Sequence, residues 1–270
     1  MLNHLLFMGV LEAIILGIIQ GLTEFLPVSS SGHLEIGKVL LGVDVQESLS
    51  FTVAVHGATV LSTIVVFWKD IISLLQGIFK FRWNDETQFI AKIAVSMIPV
   101  GVVGVFFKDQ VEAFFTGNLM VVGAMLMVTA LLLSLTVFVK PRNERPIGFV
   151  DSLVIGIAQA CAVMPGLSRS GSTIATGMLL GNDKSDVARF SFLMVLVPII
   201  GANLLDIMDG SFSVALGEGL PVVAGFIAAF VSGYLACSWM IKLVKRGKLL
   251  WFAVYCAIVG SVAIVTSLIN

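Results

Sequence analysis

The chain has 270 residues, 58% of them hydrophobic and only 12% charged, with a formal net charge of -1 and a mean hydropathy of +1.04. Soluble domains carry roughly 25% charged residues, so the composition excludes an ordinary soluble globule and indicates an integral membrane protein. The near-zero net charge argues against a basic nucleic-acid-binding surface, and long apolar runs without period-two alternation make helices the expected spanning element.

At the amino terminus, Met1-Leu2-Asn3-His4 offers no basic stretch, so a cleaved signal peptide is not expected. The first organised stretch, about 5–42, is apolar, then rich in Pro, Ser and Gly, then apolar again up to Leu40-Leu41-Gly42. Neither half is long enough to span comfortably, and Pro with Gly breaks the helix between them. A re-entrant hairpin fits, its irregular backbone covered by protein or by a wet cavity. The break reads Gln20-Gly-Leu-Thr-Glu24-Phe-Leu-Pro27-Val-Ser29-Ser30-Ser31-Gly32-His33. Gln20 and Glu24, four apart, share a helix face. Glu24 is either a helix-end carboxylate or a metal ligand or general base. With the Gln20 carbonyl it would suit Mg²⁺ or Ca²⁺, helped by a phosphate-bearing substrate. Ser29, Ser30 and Ser31 precede a short helix whose free N–H groups favour an anion. Each serine is a helix cap or a ligand contact. Ser30, with Glu24 before it and His33 after it, makes a plausible nucleophile with a base and a charge-positioning group.

Apolar runs near 49–68, 89–107 and 118–139 follow, each close to the roughly 20 residues a spanning helix needs. His56, within the first, either faces a site or makes a helix–helix hydrogen bond. A second hairpin, about 147–181, contains Gly156-Ile-Ala-Gln159 and Pro165-Gly-Leu-Ser168-Arg169-Ser170-Gly171-Ser172-Thr173. A lone guanidinium costs several kcal/mol in hydrocarbon. Arg169 therefore either pairs with Glu24 or clamps a phosphate through its planar donor fork, with Ser168, Ser170, Ser172 and Thr173 as further donors. Three more spans are predicted near 187–208, 220–242 and 249–269. Cys161, Cys237 and Cys256 lie in apolar surroundings and read as small buried hydrophobes.

The two hairpins are copies. One shift of 139 residues carries Gly17, Gln20, Ser29, Ser31 and Gly32 onto Gly156, Gln159, Ser168, Ser170 and Gly171, and Phe51 onto Phe190. The same shift carries Ser30 onto Arg169. Most of the 16 Lys and Arg residues fall in connections on one side, the cytoplasm by the positive-inside rule. The opposite loop near 206–219 has Asp206, Asp209 and Glu218 and no cation. Each half is one hairpin plus three spans, so the second is inserted upside down. The expected architecture is all-α and membrane-integral, about six spans and two re-entrant hairpins in an inverted-topology repeat. It forms a single membrane domain, with repeat one 1–139 and repeat two 140–270. The hairpin tips meet near the midplane, and the site opens outward. That arrangement is transporter-like, whereas the Ser30, His33 and Glu24 cluster favours chemistry. Both functions are carried forward.

Gln20 to His33 and Pro165 to Thr173 together resemble the two signature motifs of the undecaprenyl-diphosphate phosphatases, the bacterial bacitracin-resistance lipid phosphatases. The resemblance covers essentially the whole chain. It implies hydrolysis of a C55 isoprenyl diphosphate to the monophosphate in the bacterial inner (plasma) membrane, recycling the carrier for cell-wall polymers. It also implies Gln20 and Glu24 as the acidic motif, Ser30 as the serine nucleophile, His33 as the motif histidine and Arg169 as the phosphate-binding arginine. Gln20 stands where that motif accepts Glu or Gln, which leaves Glu24 the sole carboxylate of the pair. Whether His33 or Glu24 takes the serine proton, and whether His33 itself attacks, stays open in the sequence. The expected partners are a polyprenyl diphosphate lipid and the membrane, without nucleic acid, and a homodimer is admitted as an assembly.

Overall fold

The computed structural model describes residues 9–41, 49–107, 110–111, 118–138, 144–201 and 219–269, and among them the regular structure is helical. Polar breaks decide where the helices stop. Helix α1 (Val10–Phe25) ends ahead of Pro27, and α2 (Ser30–Leu41) starts beyond a four-residue turn. Helices α7 (Phe149–Cys161) and α8 (Arg169–Leu179) repeat the pattern. With 16, 12, 13 and 11 residues, these four reach at most about 24 Å at 1.5 Å per residue, short of a ~30 Å hydrocarbon layer. Within each pair the helices pack against each other.

Among the described residues four helices are long and apolar enough to cross a membrane: α5 (Asp85–Phe106), α6 (Leu119–Phe138), α10 (Leu220–Lys245) and α11 (Leu250–Ile269). They match four of the predicted spans. Helix α5 starts earlier than expected because Asn84 caps it, its Oδ1 accepting from Thr87 N at 2.8 Å, and Asp85 and Glu86 suit the positive end of the helix dipole. The run predicted at 49–68 is α3 (Leu49–Val66), which bends by 75° into α4 (Trp68–Ile78). The run predicted at 187–208 is not one continuous helix over its described part. Helix α9 (Lys184–Met194) stops at a turn at Val195, and helix resumes over 196–201. Pro198 explains the interruption, since its ring conflicts with the Met194 carbonyl and it donates no hydrogen bond. The remainder of that run, and the 206–219 loop before Gly219, lie outside the described residues.

The packing interlocks the two halves. Helix α1 lies on α10, and α7, its copy, lies on α5. Helix α6 pairs with α11, and α3 packs on α10. Small residues allow this closeness: a Cβ on Gly17 would sit 2.3 Å from the Gly225 carbonyl oxygen, and one on Gly156 2.4 Å from that of Ser96. Without a hydrophobic force between helices in lipid, such backbone approach supplies the attraction. The repeat-equivalent Phe51 and Phe190 are both fully buried.

The cationic connections cluster at one end. Arg189 Nε pairs with Asp70 at 2.7 Å and Lys184 with Glu144 at 2.6 Å. Arg189 also lies 4.5 Å over the Phe89 ring. There the base of the second hairpin is clamped by Arg145, bidentate to Asp151 at 2.6 and 2.8 Å. Asp151 also accepts from Gly148 N at 2.8 Å and from the buried Asn182 amide at 3.0 Å. Orphaning a buried donor costs about 1–3 kcal/mol. Asp151→Ala is therefore expected to lower the thermal midpoint in detergent clearly. Arg145→Ala, which leaves the Gly148 and Asn182 donors on Asp151 in place, should lower it less.

Candidate active site

The two hairpin turns are built alike. Ser29 Oγ accepts from Gly32 N at 3.3 Å and stands 3.3 Å from Ser31 Oγ. At the equivalent place Ser168 Oγ accepts from Gly171 N at 3.0 Å and stands 3.4 Å from Ser170 Oγ. Ser29 and Ser168 are thus the N-caps of α2 and α8. Ser29 takes a positive φ of 71°, a left-handed conformation costly for a residue with a Cβ and usually found where function demands it. Gly166 has φ +91°, and a Cβ there would lie 2.4 Å from the Val122 carbonyl oxygen. Only glycine fits that turn.

The tips touch, as the sequence predicts. Ser170 Oγ donates to the Leu26 carbonyl at 3.2 Å, and a Cβ on Gly171 would contact Pro27 at 3.2 Å. Two helix N-termini, α2 and α8, are thereby brought to one place.

Glu24 is the centre of that place. Its side chain is 5% exposed and its carboxylate accepts from three side chains. Gln20 Nε2 donates at 2.9 Å and Ser30 Oγ at 2.7 Å, both to Oε2. Arg169 Nη2, from the other hairpin, donates to Oε1. Ser30 and Arg169, equivalent in the repeat but opposite in chemistry, converge on one carboxylate. A single group therefore links a hydroxyl to be deprotonated with a cation able to bind phosphate.

His33 goes elsewhere. Its Nδ1 bonds the Ser29 carbonyl at 2.8 Å and its Nε2 the Tyr255 hydroxyl at 2.8 Å, and its ring stacks on Tyr255 with centroids 5.5 Å apart. Both ring nitrogens are engaged, and neither contacts Ser30 or Glu24. The expected cluster of Glu24, Ser30 and His33 is in fact a Glu24–Ser30–Arg169 cluster with His33 anchoring α2 to α11. Thr173 donates to the Arg169 carbonyl at 3.0 Å, and Ser172 is buried with its hydroxyl unpartnered.

A cavity of about 230 Å³ opens beside the cluster, walled by Ser29, Ser30, Ser31, Arg169, His56 and Gln159 among others. A larger one, about 670 Å³, lies at the cationic end between Asp85, Lys92, Asp186 and Arg189, away from Glu24. The smaller cavity carries the polar convergence that chemistry needs.

Gln20 and Glu24 do not fit a resident divalent cation. The Glu24 oxygens are occupied by three donors, the Gln20 amide presents its NH₂ to Glu24, and only Gln20 Oε1 is left without a partner. Among the described residues no three His, Cys, Asp or Glu side chains converge, whereas a hard cation takes six or more oxygens.

Sequence reasoning missed Tyr255 and Thr129. The Thr129 hydroxyl accepts from Ser168 N at 3.0 Å and steadies the second tip. Both sit in apolar spanning helices, and an isolated hydroxyl there was the only signal.

A model of the family described as "Bacitracin resistance protein BacA" matches residues 13–262. The chain is 58% identical over 259 residues to the undecaprenyl-diphosphatase of Bacteroides fragilis, covering 95% of this chain and 97% of that protein. It is 58% identical over 264 residues to the protein of that name in Bacteroides thetaiotaomicron, covering 97% and 100%. It is 56% identical over 262 residues to that of Parabacteroides distasonis, covering 96% and 98%.

Proposed function

Because this chain belongs to the bacitracin resistance protein BacA family, we propose that the Glu24–Ser30–Arg169 cluster is the active site of an undecaprenyl-diphosphatase. The enzyme hydrolyses undecaprenyl diphosphate to undecaprenyl phosphate and phosphate, recycling the lipid carrier for cell-wall polymers and conferring bacitracin resistance. The observation that carries the site assignment is the Glu24 carboxylate held jointly by Ser30 and Arg169.

The polyprenyl tail lies along apolar helix faces, and the diphosphate enters the Arg169 cavity from the outer leaflet of the bacterial inner membrane. Loop charge supports that orientation. The phosphates compete with Glu24 for the guanidinium. As Arg169 turns to them, Glu24 loses its counter-charge and becomes a better base for the hydroxyl 2.7 Å away. The Ser30 proton passes to Glu24 and Oγ attacks the terminal phosphorus. The bridging P–O bond breaks, and undecaprenyl phosphate leaves with its new negative charge facing Arg169 and the α2 and α8 N-termini. Water then attacks the phosphoryl-serine. Its P–Oγ bond breaks, Oγ recovers the proton from Glu24, and phosphate departs.

The equivalence of α1–α2 to α7–α8, and the exchange of packing partners between α1 on α10 and α7 on α5, support reading the chain as an inverted repeat with re-entrant hairpins. That architecture keeps a transporter reading alive for a polyprenyl phosphate or other anionic lipid. Phosphate release by purified protein in detergent separates the two, because detergent leaves no compartments. Turnover there is the expected result; a protein that binds the lipid phosphate but releases none would be a transporter.

A further inference from the structure

The hydrolytic water needs a proton acceptor, and the Glu24–Ser30–Arg169 cluster does not provide a free one. During the first step Glu24 takes the serine proton and must keep it for Oγ, so it is not available to the water. The structure holds two further acceptors on the wall of the same cavity. His56 lines it, from α3. Its Nδ1 stands 2.8 Å from the Thr52 carbonyl. A carbonyl can only accept, so Nδ1 carries a proton, and in the neutral ring Nε2 is then the acceptor. Gln159, from α7, is the second. Its residue is 1% exposed, its amide nitrogen reaches Met97 Sδ at 3.9 Å, and its Oε1 has no partner in the protein. A buried amide oxygen without a partner is costly unless something fills it. Arg169 and Ser30 face the same space, as charge and nucleophile.

We propose that His56 and Gln159 hold the hydrolytic water, with His56 Nε2 taking its proton and Gln159 Oε1 accepting its other hydrogen. This rests on the phosphatase reading of the cavity. The step balances: the water oxygen bonds phosphorus, its proton moves to Nε2, the P–Oγ bond breaks, and Oγ takes the Glu24 proton. The imidazolium then returns its proton to the departing phosphate or to solvent. The alternative role, a histidine satisfied within its own helix, accounts for Nδ1 but not for the place of His56 on the cavity wall. Arg169 from α8 is the charged group that lines this space beside His56; Glu24 from α1 stands behind it, bonded to Arg169 and Ser30, and Lys38 on α2 reaches Thr52 one turn away at 3.5 Å.

The test uses the full chain in detergent with polyprenyl diphosphate carrying ³²P in the terminal phosphate. His56→Gln, which keeps a donor for the Thr52 carbonyl, and His56→Ala are each expected to lower kcat about 10²-fold with little change in KM. Labelled protein should accumulate on acid quench, and added imidazole should restore much of the kcat of His56→Ala. Gln159→Leu should slow the same step less. Unchanged kcat in both His56 variants would overturn the proposal. So would a loss that imidazole leaves untouched while labelling itself is slowed, the mark of a structural role. Monodispersity and thermal midpoint identify a misfolded variant, and His56→Gln serves if His56→Ala fails to fold. If no labelled protein forms even in the wild type, the serine assignment fails separately, and imidazole rescue still decides whether His56 serves a water that attacks phosphorus directly.

Discussion

Arg169→Ala is expected to lower kcat/KM for phosphate release by about 10³-fold or more, since one preorganised charge-stabilising donor removed from a water-poor site costs 10²–10³ and Arg169 is the cluster's only cation. The same change leaves the Glu24 carboxylate buried without its counter-charge, which costs about 3–5 kcal/mol if the group stays ionised. Stability and activity must therefore be read apart. In Arg169→Ala with Glu24→Gln the uncompensated charge is gone, and the thermal midpoint should recover while activity does not. Arg169→Lys should keep the fold and regain only part of the rate, because an ammonium lacks the planar fork that grips phosphate at two points. Near-normal turnover in Arg169→Ala would show that phosphate binds elsewhere, and the site assignment would be lost.

The second large effect is expected at Ser30. Ser30→Ala removes the attacking oxygen and one of three donors to Glu24 while leaving Gln20 and Arg169 in place. Binding should persist and kcat should fall by about six orders of magnitude, the range for loss of a serine nucleophile. No ³²P should remain on the protein. Ser31→Ala, whose hydroxyl stands beside Ser29 rather than Glu24, is the control and should lose less than tenfold. Wild-type turnover by the Ser30 variant would transfer the attack to water and make the serine a spectator.

Much of this was legible before any coordinates. Pro27, the serine run and the shift carrying Gln20 onto Gln159 mark the hairpins, because Pro, Gly and hydroxyls are expensive inside an apolar helix and so announce a break. Four of the spans follow from apolar length alone. The destination of His33 was not legible: its partner Tyr255 lies 222 residues away in an apolar helix, and no local pattern links the two. Spacing placed His33 three residues after Ser30, whereas its ring bonds the Ser29 carbonyl and Tyr255 on α11. The run at 187–208 looked continuous in hydropathy, and Pro198 outweighs that where α9 stops. The pairing of Ser30 with Arg169 on one carboxylate was within reach, since the repeat equates their positions, but only a three-dimensional contact between the tips makes it real.

The crossed packing of α1 on α10 has a consequence for biosynthesis. As the chain leaves the ribosome, the first hairpin enters the bilayer long before its neighbour α10 exists, and Glu24 waits for a cation 145 residues downstream. Until the second hairpin arrives, that acid is held in a nascent protein with nothing to balance it. The Glu24–Ser30–Arg169 cluster accordingly cannot form until both hairpins are made, and a prematurely terminated product lacking α8 has no competent half to salvage.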